Sequence, residues 1–190
     1  MVPVSDFLPT LRMLVDVPVP GLMEMAIVKA AQRFCRESKV IVKTRQFDEV
    51  FDCQSVSVIG IGTPQLKGAG IVSVASKDHL LLAGYDYTVV DRGEIKFTGN
   101  FSDVAIIGVV EPTINADQLP KVLLHDYVDG ICAGAANLLQ LQPTTAWFNP
   151  DLAQYNHREF VQAIRDASRY ALENTPALEV NNQTRKREYI

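Results

Sequence analysis

The residue pattern predicts an α+β chain. It divides into an antiparallel helical frame made of residues 1–38 and 112–175, a small inserted β module over 39–111, and an extended C-terminal tail over 176–190. Three observations carry this. Apolar residues recur at helical spacing near both ends of the chain. The middle is rich in short β-branched runs separated by glycine and proline. After Thr175, a proline is followed by a mostly polar stretch that buries little.

In the first segment, Ser5 is a candidate cap for a short helix, with Asp6 in its first turn. Asp16 to Gly21, with Pro18 and Pro20, reads as a connector. A longer helix starts near Gly21 and ends near Ser38. Its predicted buried stripe is Leu22, Met25, Ala26, Ala30 and Phe34, with Lys29, Arg33 and Arg36 mostly elsewhere.

In the middle segment, Val40, Ile41, Val42, Val50, Val56, Val58, Ile59 and Ile61 mark the early strands. Later strands are expected over 71–75, 85–90, 94–98 and 104–110. Asp91, Arg92 and Gly93 supply a hairpin turn between two of them.

The third segment returns to helix. Pro120 is placed at a first helical position, and Val122, Leu123, Tyr127, Val128, Ile131, Ala135, Leu138 and Leu139 form one broad apolar face ending before Pro143. Asn149 followed by Pro150 signals the last helix: a capping side chain, then a residue that needs no amide partner. Phe160, Ala163, Ile164, Ala167, Tyr170 and Ala171 form its predicted stripe, with Arg158, Arg165 and Arg169 on other faces.

Apolar residues make up 47% of the 190, enough for a substantial core. The formal net charge of −4 disfavours free binding to nucleic acid, which usually needs a basic stripe. Asp6, Arg12, Asp16 and several prolines interrupt the early apolar runs, so no signal peptide is read there. No apolar run approaches the roughly 20 residues of a membrane span. Cys35, Cys53 and Cys132 read as small core residues of a reducing compartment.

The motifs of chemistry are weak. Gly60-Ile61-Gly62 opens like a dinucleotide fingerprint, but Gln65 stands where the third glycine belongs. Lys67-Gly68 reverses the order that a phosphate loop needs. His79, His125 and His157 lack metal-ligand spacing to one another or to cysteine. The pattern thus names no catalytic, cofactor-binding or metal residues, no cofactor and no enzyme activity. Gly130-Ile131-Cys132-Ala133-Gly134 points to close helix packing or a subunit interface, because two glycines inside a helix need a packing reason. Trp147, between the last two helices, reads as a plug of the core, with an interface hot spot as the other reading. The tail combines Arg185, Lys186 and Arg187 with Tyr189 and Ile190, a set suited to docking on another chain.

Several stretches in both halves of the chain form one ordered set of motifs. In the first half these are Ser5-Asp6-Phe7-Leu8-Pro9, Val17-Pro18, and the run from Ala30 to Ser38. In the second half they are Leu119-Pro120, Gly134 to Leu139, Pro143, Trp147, Asn149 to Ala153, and Arg158-Glu159-Phe160. With the basic and aromatic run Arg185 to Ile190, these stretches resemble the head-to-tail adaptor (connector or neck) proteins of tailed bacteriophages. The resemblance covers both helical thirds and the tail, and the β middle only in outline.

The resemblance implies a virion protein of the neck between capsid and tail, made in the host cytoplasm. It implies a homo-oligomeric ring, commonly twelvefold, docked on the portal protein ring through the tail. The β module would face a downstream tail or neck protein. DNA would pass through the lumen without sequence-specific binding, and no membrane would be involved. Three alternatives stand beside it. One is another neck component, either a head-closure or a tail-terminator protein. The second is a small cytosolic hydrolase pairing His125 with Asp126 or Asp129. The third is a monomeric binding module using the β insertion.

Overall fold

The computed structural model describes residues 1–60, 63–77 and 79–174. Within them the chain is a mixed α+β fold with two apolar cores, one helical and one between β-sheets.

The N-terminus is set by pairing rather than by a cap. Val2–Pro3 (β1) runs antiparallel to Gln118–Leu119 (β9), and the Val4 amide donates to the Asp117 carbonyl at 3.0 Å. A single 3-10 turn over Val4–Phe7 follows, then Leu8–Leu14 (α1). Ser5 lies inside that turn and caps nothing, which corrects the expected role; Pro3 holds the boundary position.

Pro20–Ser38 (α2) begins on proline, one residue earlier than expected, since the fixed φ of proline suits a first helical position. It buries Met23, Ala26, Ile27, Ala30, Ala31, Phe34 and Cys35. Met25 is 55% exposed, so the buried face is rotated from the predicted stripe. Lys39 ends the helix in the left-handed region, at φ 56°, its amide bonded to the Cys35 carbonyl.

Two antiparallel sheets follow. The larger has the order β2-β8-β4-β5, from Val42–Val50 (β2), Phe101–Pro112 (β8), Leu66–Ser76 (β4) and His79–Leu80 (β5). The smaller has the order β3-β7-β6, from Ser55–Ser57 (β3), Glu94–Phe97 (β7) and Tyr87–Asp91 (β6). Asp91 faces Glu94 across a turn of Arg92 and Gly93, as the turn residues predict. The sheets share a core of Val50, Val56, Val58, Val74, Ile95, Phe97, Val104 and Ile106.

Glycine is required where the small sheet crosses the large one. A Cβ on Gly68 would stand 2.2 Å from the Gly93 Cα, so both backbones must stay bare. Cys53 lies in the turn between β2 and β3 at φ 63° and is exposed, which corrects its assignment to the core; Cys35 and Cys132 are buried as expected.

The predicted single helix before Pro143 is two: Lys121–Asp126 (α3) and Val128–Gln140 (α4). The break is at Tyr127, whose φ of −134° is not helical and whose ring packs on Phe34 at 5.0 Å. Pro120 caps α3 from outside instead of opening it. The last helix, Pro150–Asn174 (α5), starts as its signal predicts, with the Leu152 amide donating to Asn149 Oδ1 at 3.1 Å. Its buried stripe is shorter than expected. It ends at Ala167, and Tyr170 and Leu172 are exposed.

The helical core joins residues far apart in sequence. Phe7, Leu11, Phe34 and Cys35 pack with Leu119, Leu123, Ile131, Ala135, Leu139 and Phe160. A buried polar chain locks three helices together. Gln140 Nε2 donates to the Leu14 carbonyl at the end of α1, and Gln140 Oε1 accepts from Asn156 Nδ2 of α5 at 2.8 Å. Asn137 Nδ2 donates to the Ala153 carbonyl at 2.9 Å.

The helical frame meets the sheets at Glu111, a carboxylate only 1% exposed near the end of β8. Arg36 of α2 grips it with two bonds of 2.8 and 2.9 Å, and Lys67 of β4 stands at 3.2 Å. The Arg36 guanidinium is pushed upward in pKa, first by its hydrogen bond to Glu111. One turn along, Gln32 Nε2 donates to the Pro112 carbonyl at 2.9 Å.

Three substitutions, each followed by a urea melt, check this architecture. Asn149→Ala should cost about 1 kcal/mol in a urea melt, the usual loss for a side-chain cap. Arg36→Ala leaves Glu111 buried with Lys67 as its one remaining cation among the described residues and should cost about 3 kcal/mol. Arg169→Ala, which breaks the exposed pair with Asp166, should cost under about 1 kcal/mol. Equal losses from the two arginines would show that the Glu111 joint contributes no more than a surface pair.

Candidate functional site

The residues singled out in the sequence fall in different places. Arg185, Lys186, Arg187, Tyr189 and Ile190 lie outside the described residues, as do Ile61 and Gly62 of the glycine pair. Gly130 and Gly134 lie on the buried face of α4, against α5. A Cβ on Gly130 would stand 2.4 Å from the Ala163 Cβ, and one on Gly134 would stand 2.6 Å from Phe160 Cδ2. The two glycines therefore serve close approach of helices within the chain. Cys132, between them, is buried, and burial pushes its thiol up to about 12; Cys35 is raised to about 12 for the same reason, with Glu111 adding to it.

His125 is exposed on α3, Asp126 is its direct neighbour, and Asp129 is exposed on α4. Among the described residues, no hydrogen bond or ion pair joins His125 to either acid. Nor does any group of three or more His, Cys, Asp or Glu converge as metal ligands among the described residues. Trp147 is half-buried against the helical core, with its Nε1 buried and unpartnered among the described residues.

The surface offers two features that sequence patterning missed. The first is a groove of about 410 Å³ between α1, α4 and α5. Its walls carry Met13, Leu14, Ala133 and Tyr155, and its acids are Asp129, Glu159 and Asp166. Met13 is 78% exposed and Tyr155 59%. Helical periodicity cannot find such a groove, because its residues come from three elements and each looks like an ordinary surface position. The second feature is the outer end of α5, where Tyr170 and Leu172 extend past the last buried residue. No described helix is long and apolar enough to cross a membrane.

Compared with known proteins, the chain matches no family model and no curated protein.

The packing of α4 on α5 is open to a direct test. Gly134→Ala gains helix propensity of up to about 1 kcal/mol but forces a methyl group against the ring of buried Phe160. A net loss of about 1–2 kcal/mol is expected in chemical denaturation. Gly21→Ala is the control. It lies near the start of α2, where an added methyl group would meet nothing within 4 Å, and it should be neutral or stabilising.

Proposed function

We propose that this chain is a virion structural protein: a ring-forming head-to-tail adaptor that docks on a portal ring through its C-terminal tail and joins capsid to tail. One observation carries the reading. The two sequence stretches that resemble such adaptors lie more than eighty residues apart, yet they pack into one helical core. Phe7, Ala30, Ala31, Phe34 and Cys35 from the first meet Leu119, Ala135, Ala136, Leu139 and Phe160 from the second. That shared core is what supports the reading.

In this reading each part has a task. The helical frame supplies a rigid wedge for a ring, commonly of twelve copies. The β module reaches a downstream tail or neck protein. The lumen passes DNA without reading its sequence, and the net charge of −4 discourages the duplex from adhering. The exposed Tyr170 and Leu172 lead from the frame into the tail, where Arg185, Lys186 and Arg187 pair with acids on the portal and Tyr189 and Ile190 fill apolar sites. Each tail binds weakly alone because its ordering costs entropy. A ring of identical tails restores affinity through multivalency.

The test is binding of purified protein to isolated portal rings, followed by pelleting and electron microscopy. Removal of residues 176–190 should abolish or strongly reduce ring occupancy while leaving the helical core folded by circular dichroism, since the last buried residue of α5 is Ala167. Binding of the full chain should weaken as salt rises. Equal occupancy by the truncated chain would refute the docking role of the tail.

A further inference from the structure

We infer that the acidic groove between α1, α4 and α5 is the docking site, in the free protein, for the chain's own C-terminal segment Arg185 to Ile190. This concerns the unassembled chain and does not rest on the portal reading. Three observations converge on that occupant.

The first is charge. Asp129, Glu159 and Asp166 line the groove, and no lysine or arginine does so among the described residues. Asp166 already pairs with Arg169 at 3.0 Å, which leaves Asp129 and Glu159 as the principal partners for an incoming cation. Arg185-Lys186-Arg187 is the one run of three consecutive basic residues in the sequence.

The second is apolar complementarity. Met13 and Tyr155 expose more than half of their surface in the same groove. Large apolar side chains gathered in a concave site mark a surface that something covers. The segment carries an aromatic and an aliphatic residue, Tyr189 and Ile190, directly beyond its basic run.

The third is reach. Asn174 ends α5, and Glu159 lies fifteen positions back along the same helix, about 22 Å at 1.5 Å per residue. The ten residues 175–184 span up to about 33 Å. Doubling back along α5 therefore brings Arg185 level with Glu159. It leaves Tyr189 and Ile190 to continue toward Tyr155 and Met13. Tethering makes this intramolecular site outcompete the groove of a second copy at micromolar protein, since short linkers give effective concentrations near millimolar.

The experiment is photo-cross-linking of the full-length chain at low micromolar concentration, with benzoylphenylalanine replacing Tyr189. The expected product is a monomer cross-linked internally, with mass spectrometry finding the joined peptide at Met13 or Tyr155. Its yield should fall by about tenfold in the Asp129→Lys, Glu159→Lys double variant, and likewise at high salt. If the double variant fails to fold by circular dichroism, Glu159→Lys alone, on the exposed side of α5, gives the same reading with a smaller drop. Cross-links to other parts of the chain, cross-linked dimers as the main product, or an unchanged yield in the folded charge-reversed variant would each overturn the inference.

Discussion

Glu111 stands where the β core ends and the helical frame begins, and its carboxylate is almost wholly removed from water. A buried charge without partners would be costly enough to unfold the joint. Here Arg36 and Lys67 reach it from the two sides, one from α2 and one from β4. The two cations keep about half of their own surface in solvent, so they are desolvated far less than the acid. That asymmetry lets the ion pair orient the two parts without the full penalty of burying both charges. The position of the β module on the frame therefore depends on this carboxylate, with Ile41 adding apolar contact to both cores.

A second polar lock acts within the helical frame. Gln140, Asn137 and Asn156 are buried amides, and each finds a partner on another helix. Satisfied buried amides contribute modest net stability, but they fix register, since sliding a helix would leave them unpaired. Gly130 and Gly134 act in the same direction by letting α4 approach α5 more closely than any side chain would permit. A frame held in one register can present a groove and a helix end in a fixed relation. Both the proposed ring and the proposed docking of the tail need that fixed relation.

The site candidates divide by how far apart their parts lie in the sequence. The basic and aromatic tail is contiguous, and its chemistry is legible directly from residues 185–190. The groove was not legible. Met13, Asp129 and Glu159 are separated by more than a hundred positions in all, and only the packing of α1, α4 and α5 brings them together. Glu111 was equally silent, because a lone glutamate at the end of an apolar strand looks like the residue that meets solvent.

By itself the sequence determined the class of each described segment and several of its boundaries. Asn149 before Pro150 marked the start of α5, and Arg92-Gly93 marked the hairpin, because caps and tight turns depend on neighbouring residues alone. Tertiary contact decided the rest. It rotated the buried face of α2 away from Met25, broke the predicted long helix at Tyr127, and ended the buried stripe of α5 at Ala167. Periodicity records which side of a helix is apolar, but burial depends on which partner lies against that side and for how many turns. Those partners come from distant parts of the chain, so only the folded arrangement could choose them.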